Sequence, residues 1–551
     1  MKLAKDCYDN IIRLTKINKY TLEIAENIIN HNKYRVATNL EDIYFEEGNI
    51  NWDYKHNINS NSYLLYLHSL SIVSYLVNAY EKEFKKKYLV KAKEIVESWM
   101  DYNENNSNNM IWYDHTTANR THNLIYFFII SKDILSIDEE KMYRCISKHI
   151  EYLYNDCNYF NNNHGIMIDK ALIMCSFIFE DIKAESWRIK GLSRLKETFY
   201  NSFSDNGVHL ENSIYYHQFV KKLYIEIENF LNNYNITLGK EITKNFNKIE
   251  KYFTYACKPN NYLPLLGDTT LIYDKNIIKN FESFFDPQAG ICILQNRHKE
   301  YDENSTWISF ICGYFKKTHK HYDDLSFTMY SMGKDIFVDS GSFGYGRGKE
   351  RRYVQHAKSH NTFMVNNENY KLLDELEAYN KIRLISFYEN KYYSLVKGKN
   401  YAYPDVKLER TLILFRKDFL IIYDKGVSQK NKKYTQIFNL DPNVDIETIS
   451  ESECILRNED IIIKINQLNK CDEIKINYPD INEPIAVISE KTGELTKTKQ
   501  VEFSTESMKS EFITLISIDK SEENIEKLKF RNNDKIIEIT VDGINHTICL
   551  E

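Results

Sequence analysis

The sequence of 551 residues lacks the features that mark several common protein classes. Its longest apolar run, 171–179, is far too short to cross a membrane. Its start, MKLAKDCYDNIIRL, contains no apolar core of a signal peptide. Basic residues are not in excess, since the net charge is −6, which argues against a dedicated nucleic-acid-binding protein. We therefore expect a soluble globular protein with neither a nucleic-acid nor a membrane partner. The expected location is cytoplasmic, or secreted or periplasmic if an export segment has been removed.

Disulfide bonds are not expected either. The ten cysteines are scattered along the chain without a C-x-x-C pair. Several of them, such as Cys175 and Cys312, lie in apolar runs and have the pattern of small core residues. This usage is typical of a reducing compartment or of plain burial rather than of a disulfide framework.

Proline is scarce, and the chain changes its apolar periodicity only once. Up to about residue 283, apolar residues recur at three- and four-residue spacing, which predicts successive antiparallel helices in a bundle or a curved or closed array. From the turn-rich segment 285–290 onwards, alternating apolar residues predict antiparallel strands. The sequence therefore predicts a multidomain α+β protein, with a helical domain at 1–284 and an antiparallel β-sandwich domain at 285–551.

The segment 318–361, at the start of the predicted β domain, has the densest set of reactive side chains. His319 and His321 are one residue apart, so on an extended strand both side chains point to the same face. His321, Asp339 and His360 are predicted on three neighbouring segments of one sheet. Two imidazoles and one carboxylate form a zinc-type ligand set. The alternative is a group of ordinary surface histidines and a turn aspartate.

Two polar islands interrupt the predicted helices. Asn163 and His164 lie in an Asn-rich stretch just before an apolar run, where a loop with a helix N-cap is the alternative. The segment 205–217 leads from a turn into a helix that carries Tyr216 and His217. A capped helix start with amphipathic tyrosines is the alternative there.

A third feature is the aromatic segment 112–115, followed by Arg120. The guanidinium fork of an arginine near a helix start matches a sugar carboxylate. Core packing around a solvated arginine is the alternative. Basic residues also cluster at 347–352, beside the candidate reactive groups, which favours an anionic substrate.

Together these segments resemble the heparinase II/III-like polysaccharide lyases, a family that includes oligoalginate lyases. The motifs stand in the family's order and extend over nearly the whole chain, and their joint order is far more specific than any one of them. The matching motifs are NNHG at 162–165, E-x-S-x-x-Y-H at 211–217, P-x-x-G-D at 264–268, H-x-H at 319–321, D-x-G at 339–341 and S-H-N-T at 359–362.

The resemblance implies an N-terminal incomplete (α/α) toroid followed by an antiparallel β-sandwich. It also implies cleavage of uronic-acid polysaccharides by β-elimination, which leaves a 4,5-unsaturated uronate at the new non-reducing end. The reaction removes the C5 proton, whose acidity depends on neutralising the adjacent carboxylate with hydrogen-bond donors. A base and an acid then act on the C5 proton and on the leaving oxygen at C4.

The catalytic roles carried over from the family fall on four residues. Asn163 matches the asparagine that neutralises the carboxylate, and His164 is expected to help it. Tyr216 matches the catalytic tyrosine and is the expected proton donor, with a second role as base left open. His319 matches the catalytic histidine of H-x-H and is the alternative base.

The metal positions of the family match His321, Asp339 and His360. The implied cofactor is a structural divalent metal, with zinc as the expected ion, which would hold the segment bearing His319. The residues expected to contact substrate are Arg120, His217, Tyr345 and Arg352.

The expected partner is an anionic uronate polysaccharide or oligosaccharide, with glycosaminoglycans favoured over alginate or a bacterial exopolysaccharide. A hydrolase on a similar toroid would need a pair of carboxylates at catalytic separation, and the polar islands offer Tyr, His and Asn instead. A catalytically silent polysaccharide-binding or assembly protein is the non-enzymatic alternative. The oligomeric state is not predicted.

Overall fold

The computed structural model describes residues 1–37, 40–46, 49–56, 60–105, 110–416, 418–519, 525–531, 536–541 and 543–550. The chain forms two compact units. The first contains 1–202 and 219–245, and the second contains 203–218 and 246–551. We call them the helical unit and the β unit.

The helical unit consists mainly of two rows of helices. Helices α3, α5 and α7 form one row in which α5 contacts both neighbours, and α4, α6 and α8 each pack on the member of that row that precedes them in the chain. The helices are α1 (Thr21–His31), α2 (Ser60–His68), α3 (Ser71–Glu83), α4 (Lys86–Asn105), α5 (Asp114–Ser131), α6 (Glu139–Tyr154), α7 (Asn163–Ile178), α8 (Ala184–Ser202), α9 (Ile214–Asn232) and α10 (Lys240–Ala256). The division between the two units runs through α9 and α10.

The sequence explains why α5 and α7 lie inside the helical unit. Both helices bury residues on every face, including polar ones, which is the pattern of a helix surrounded by others. In α6, by contrast, the buried residues recur at three- and four-residue spacing, and most of the other residues are charged or polar. The four short strands of this unit form two pairs and are β1 (Lys2–Leu3), β2 (Lys33–Tyr34), β3 (Ile43–Tyr44) and β4 (Phe179–Glu180).

The β unit contains sheets in which every described strand pairing is antiparallel. Its strands are β5 (Tyr262–Leu263), β6 (Ile272–Tyr273), β7 (Phe284–Asp286), β8 (Ile291–Asn296), β9 (Thr306–Ile311), β10 (Ser326–Ser331), β11 (Lys334–Phe337), β12 (Phe363–Val365), β13 (Ile382–Glu389), β14 (Tyr393–Asn400), β15 (Val406–Phe415), β16 (Leu420–Asn439), β17 (Asp445–Ile449), β18 (Glu453–Asn458), β19 (Ile461–Gln467), β20 (Glu473–Asn477), β21 (Val487–Ile488), β22 (Thr496–Lys497), β23 (Gln500–Asp519), β24 (Ile525–Arg531), β25 (Ile536–Val541) and β26 (Ile544–Cys549). Two short helices, α11 (Lys349–Gln355) and α12 (Glu375–Lys381), lie between β11 and β13.

Two large sheets form the sandwich. One has the strand order β11-β10-β9-β8-β7, and the other runs β13-β14-β15-β16-β23-β19-β18-β17, with β12 beside β16 and β20 beside β23. Side chains of both sheets share one apolar core, in which Phe327 and Phe337 make ring contacts with Phe438. A tight turn at 332–333 connects β10 and β11.

The five-stranded sheet is buried on both faces. In β9, Ile308 and Phe310 enter the sandwich core, whereas Trp307 faces a second apolar cluster. That cluster is completed by residues of 203–218 and 246–266, such as Val208 and Tyr252. These segments therefore belong to the β unit, although they precede the predicted domain boundary at 284/285. The change from helices to long strands does occur near that boundary.

The described part of the chain contains no helix that is both long and apolar enough to span a membrane. All ten cysteines are free thiols, and most of them are buried.

Candidate active site

Tyr216 and His319 form the centre of the site in the β unit. Tyr216 lies in the first turn of α9, and its ring stacks on the His319 imidazole with the centroids 3.6 Å apart and the planes 17° from parallel. His319 lies in the loop between β9 and β10 and has a left-handed backbone with φ of 58°. The prediction that His319 and His321 share an extended strand is therefore wrong. A turn, and not strand alternation, directs the two imidazoles.

Tyr345 joins this pair from the loop before α11. Its hydroxyl lies 2.6 Å from the Tyr216 hydroxyl and 3.3 Å from His319 Nδ1. Tyr345 is 61% exposed, and its guanidinium neighbour Arg351 lies 5.4 Å from the ring centroid. Two phenols and an imidazole are thus within hydrogen-bonding reach on the surface of the β unit, an arrangement suited to proton transfer.

Asp268 is a buried carboxylate beneath these rings. Its Oδ2 accepts a hydrogen bond from His319 Nδ1 at 2.9 Å, its Oδ1 lies 3.0 Å from His321 Nε2, and both oxygens accept from Arg351. Burial alone would raise the pKa of Asp268, but the hydrogen bonds from both histidines and from Arg351 outweigh it and hold that pKa well below its usual range. The carboxylate is therefore anionic and acts as an acceptor for both imidazoles.

Gly267 allows the chain to place Asp268 there. Its φ is +55°, and a Cβ atom on it would lie 2.2 Å from the carbonyl oxygen of Asn212 and 3.1 Å from that of His319. Any larger residue would force these three segments apart. The close approach gives a physical reason for the glycine in the P-x-x-G-D motif.

Glu211 is a second buried carboxylate in the site. Its Oε2 lies 3.9 Å from His319 Nε2, and its Oε1 lies 4.0 Å from Lys316 Nζ. Burial lowers the pKa of Lys316, against the opposing effect of the Glu211 charge. His319 therefore has a carboxylate near each ring nitrogen.

His321, Asp339 and His360 come together as the sequence predicts. One potential ligand atom from each lies within 4.8 Å of the others, and all three residues are buried. They do not lie on neighbouring strands of one sheet as expected. Each lies in a loop that flanks a strand, and β12, which follows His360, belongs to the other sheet.

The open donor atoms of this group fit a metal ion. His321 Nδ1 and His360 Nε2 are buried and find no hydrogen-bond partner among the described residues, a costly state for a polar atom unless it binds something. His360 Nδ1 lies 3.0 Å from Asp339 Oδ2. Burial lowers the pKa of His360, but the Asp339 charge outweighs this effect and raises it.

Asn163 and His164 are the first two residues of α7 in the helical unit. The N-cap is Asn162, whose side-chain oxygen accepts hydrogen bonds from the backbone N–H groups of His164 and Gly165. This cap fixes the first turn, in which Asn163 is buried and His164 is partly exposed.

His164 shares a carboxylate with another histidine of the helical unit. Its Nδ1 lies 2.9 Å from Asp114 Oδ2, and His115 Nδ1 lies 2.8 Å from Asp114 Oδ1. The two imidazole centroids are 4.3 Å apart. Burial would raise the pKa of Asp114, but the hydrogen bonds from both rings hold it well below its usual range. Burial lowers the pKa of His115.

Three of the residues expected to contact substrate form hydrogen bonds to other parts of the chain. Arg120 is fully buried between Trp99 and Trp112 and donates hydrogen bonds to His149 Nε2 and the carbonyl of His68. This geometry gives Arg120 a packing role in the helical core.

His217 is also buried, and its two ring nitrogens bond to the backbone of His209 and Ile249. Arg352 is exposed and donates to the carbonyl of Arg347. Its neighbour Arg351, which the sequence interpretation passed over, is the arginine that reaches Asp268. Adjacent residues on α11 point in different directions, so Arg351 is buried against Asp268 while Arg352 is exposed. The substrate contact expected of Arg352 stays a prediction.

Asp268, Glu211 and Arg351 are thus functional candidates that sequence reasoning did not assign. Asp268 and Glu211 lie inside the motifs P-x-x-G-D and E-x-S-x-x-Y-H, and those motifs were the available signal. Their contacts join residues that are 51 to 108 positions apart in the chain. Local sequence spacing cannot reveal contacts of that kind.

Two protein-family models match the chain and together cover most of it. The model for the heparinase II/III N-terminus matches residues 4–289, and the model for the heparinase II/III-like C-terminal region matches residues 279–520.

Curated relatives include two heparin-sulfate lyases. One, from Bacteroides thetaiotaomicron, is 21% identical over 474 residues, and the other, from Bacteroides stercoris, is 22% identical over 301 residues. The matches cover 74% and 49% of this chain, and the chain spans 65% and 44% of the relatives' lengths.

Solved structures with the same fold include a heparinase III, with a TM-score of 0.80, 17% identity, and coverage of 98% of this chain and 94% of the other. They also include a heparan sulfate lyase from Pedobacter heparinus, with a TM-score of 0.70, 15% identity, and coverage of 98% and 91%. This likeness confirms the predicted fold class, an (α/α) toroid followed by an antiparallel β-sandwich. The family matches confirm the resemblance read from the motifs.

Proposed function

The chain belongs to the heparinase II/III family, and from this premise we propose that it is a polysaccharide lyase. It would cleave a uronic-acid-containing glycosaminoglycan by β-elimination and leave a 4,5-unsaturated uronate. The observation that carries the proposal is the stack of Tyr216 on His319, with the Tyr345 hydroxyl 2.6 Å from that of Tyr216. The curated relatives bear the name heparin-sulfate lyase, so heparan sulfate is the first substrate to test.

The first requirement of the reaction is to stabilise negative charge on the uronate. Removing the C5 proton converts the carboxylate into an enolate-like dianion, which needs preorganised donors. We assign this role to Asn163, with His164 beside it at the N-terminal end of α7. The positive end of a helix dipole favours an anion at that position.

The second requirement is proton transfer at C5 and at the leaving oxygen on C4. Tyr216 is assigned as the proton donor, since its hydroxyl is hydrogen-bonded to the Tyr345 hydroxyl and its ring stacks on the imidazole of His319. Either Tyr216 or His319 takes the C5 proton, depending on whether the proton and the leaving group lie on the same or opposite faces of the sugar. A proton gained at His319 Nε2 would be stabilised by the charge of Glu211, 3.9 Å away.

A divalent metal, with zinc as the proposed ion, would be held by His321, Asp339 and His360. When bound, it supplies a fixed positive charge that holds these three loops together. His321 is two residues from His319, and both donate to Asp268. The ligand site therefore supports the geometry of the catalytic loop without taking part in proton transfer.

The experiment that tests this function follows the ultraviolet absorbance of the unsaturated uronate. The protein would be incubated with heparan sulfate, hyaluronan, chondroitin sulfates and alginate, and Tyr216→Phe would be assayed beside it. Tyr301→Phe, an exposed tyrosine outside the site, is the matched control. We expect absorbance to rise on a glycosaminoglycan and to be lost by more than about 100-fold in Tyr216→Phe only. Reducing-end release without absorbance would show hydrolysis instead.

A further inference from the structure

Among the described residues, both units contain the same arrangement: a buried carboxylate holds two histidines, one on each oxygen. In the β unit, Asp268 holds His319 and His321. In the helical unit, Asp114 holds His164 and His115. In each pair, one imidazole is a candidate catalytic group. We propose that Asp268 and Asp114 are positioning residues that fix the tautomer and the orientation of His319 and His164. This inference rests on the proposed function.

The ring atoms involved make the proposal specific. His319 and His164 both meet their carboxylate through Nδ1, at 2.9 Å in each case. An anionic carboxylate can only accept, so each Nδ1 must carry the hydrogen. In the neutral ring the lone pair is then on Nε2. At His319 this atom can take a proton, whereas His164 donates from Nε2 to a substrate carboxylate after gaining a proton there. Free imidazole side chains favour the opposite tautomer, with the hydrogen on Nε2, so the carboxylates reverse the intrinsic preference.

Asp268 imposes opposite tautomers on its two histidines. His321 meets Asp268 through Nε2, so its hydrogen is on Nε2 and its Nδ1 lone pair is open. That Nδ1 is the buried atom without a hydrogen-bond partner among the described residues. One carboxylate thus prepares His319 for proton transfer through Nε2 and His321 for binding through Nδ1, as a carboxylate behind a ligating histidine does.

The two carboxylates differ in how their charge is balanced. Arg351 donates to both oxygens of Asp268, so the Asp268–Arg351 pair is close to neutral and does not require a charged His319. Among the described residues, the hydrogen-bond partners of Asp114 are His115 and His164. Its charge therefore faces two imidazoles without an arginine between them, which suits a ring that must donate to a substrate carboxylate.

The backbone sets the position of both carboxylates. Asp268 is held by Gly267, which permits the close approach of Asn212 and His319, and Asp114 is the first residue of α5. Fixed donors and acceptors of this kind lower the cost of reaching the reactive geometry. The aspartate of a serine-protease triad works in the same way, by holding the histidine tautomer rather than by taking the proton.

The test replaces each carboxylate by an amide of the same shape, in Asp268→Asn and Asp114→Asn. Asp424→Asn and Asp169→Asn are the matched controls. Asp424 is a buried carboxylate paired with Arg410, and Asp169 is a buried carboxylate on α7 paired with Arg194. Among the described residues, neither control carboxylate is hydrogen-bonded to a histidine. The readouts are kcat, KM, and the ring-nitrogen NMR signals of the full-length protein labelled with ¹⁵N-histidine. The signals would be assigned by their loss in His319→Gln and His164→Gln.

We expect both histidines of the parent to carry the hydrogen on Nδ1 and to lose this preference in the Asn variants. Asp268→Asn should lower kcat by at least about 100-fold with KM within about threefold of the parent. Asp114→Asn should lower kcat and also raise KM, because His164 is assigned to the bound carboxylate in both ground and transition states. The two controls should keep kcat within about threefold.

Three results would overturn the proposal: a parent with the hydrogen on Nε2 of both rings, Asn variants with unchanged tautomers, or variants with unchanged kcat. If the controls lose kcat to the same extent, the loss reflects a destabilised fold, and the positioning role is contradicted. If the parent forms no unsaturated product on any polysaccharide, the proposed function fails, and the tautomers alone then decide whether the carboxylates position these rings.

Discussion

At the scale of single residues, buried charge is the main organising influence in this protein. Asp268 is tolerated inside the β unit because two imidazoles and one guanidinium donate to it. Removing one partner of such a buried group costs about 3–5 kcal/mol, more than the intact pair contributes. The residues around Tyr216 are therefore under strong structural constraint.

Asp441 differs from Asp268, because its pKa is raised and not lowered. It gives a pH-dependent prediction. Burial raises its pKa from the ordinary value of 3.8 to about 6. The folded protein therefore binds this proton more tightly than the unfolded chain does. Its contribution to stability is full below about pH 4 and is lost as the pH rises through about 6.

Asp441→Asn should remove this loss, because the amide oxygen can still accept from the Asn443 N–H groups. We expect the free energy of unfolding to rise by about 1–3 kcal/mol at neutral pH and to stay unchanged near pH 4, where the parent carboxyl is protonated. Denaturant unfolding at the two pH values measures it. An equal change at both would contradict the role of the proton.

The residue scale is also where sequence reasoning reached its limit. Motif order identified Tyr216, His319 and the three candidate metal ligands, and the structure brings the ligands together as expected. Motif order did not reveal that Arg351 reaches Asp268, or that Arg120 is enclosed by two tryptophans. Those outcomes depend on which face of a helix turns inward and on partners far away in the chain, which local patterns do not encode.

At the scale of elements, helix starts position several of the candidate groups. The first turns of α5, α7 and α9 carry Asp114, His164 and Tyr216. Apolar spacing in this part of the chain predicted successive helices, without fixing where each helix begins. The H-x-H pattern favoured a strand at His319, because side chains two residues apart on a strand share a face. Nothing in the local sequence indicated the left-handed backbone at that residue.

The cap of α7 is a testable element. Asn162 holds the first turn through hydrogen bonds to the N–H groups of His164 and Gly165. Asn162→Ala should lower the free energy of unfolding by about 0.5–2 kcal/mol and should also reduce kcat, since His164 lies in the turn that the cap fixes.

Asp138→Ala is the control for this change. Asp138 caps α6 by accepting from the Lys141 N–H, so it should cost a similar free energy of unfolding and leave kcat unchanged. Thermal unfolding and steady-state kinetics measure both variants. Equal kinetic effects in the two would show that α7 has no special role in the site.

At the scale of the whole molecule, the predicted order of a helical half and a β half is confirmed, and the fold class with it. The compact units nevertheless divide inside α9 and α10 and not at residue 284. The reason is packing: Trp307 and Ile291 of the five-stranded sheet are covered by residues of 203–218 and 246–266. A helical sequence pattern shows that a segment is amphipathic, but not which unit its apolar face joins.

The proposed metal makes a prediction about the stability of the whole chain. An ion present at 100 times its Kd contributes about 2.7 kcal/mol to the folded state. Chelation should therefore lower the unfolding temperature of the parent, and elemental analysis should show about one ion per chain in the untreated protein. His321→Ala should lack the ion and should not respond to the chelator. A parent that loses no stability on chelation and holds no metal would contradict the site.

The most direct test of the account is the mass of the products formed from heparan sulfate. Elimination yields a new non-reducing end that is lighter by one water than the product of hydrolysis, and that absorbs in the ultraviolet. We expect the parent to form only the lighter product and Tyr216→Phe to form it more than about 100-fold more slowly. Hydrated products, or a Tyr216→Phe variant as fast as the parent, would contradict β-elimination at this site.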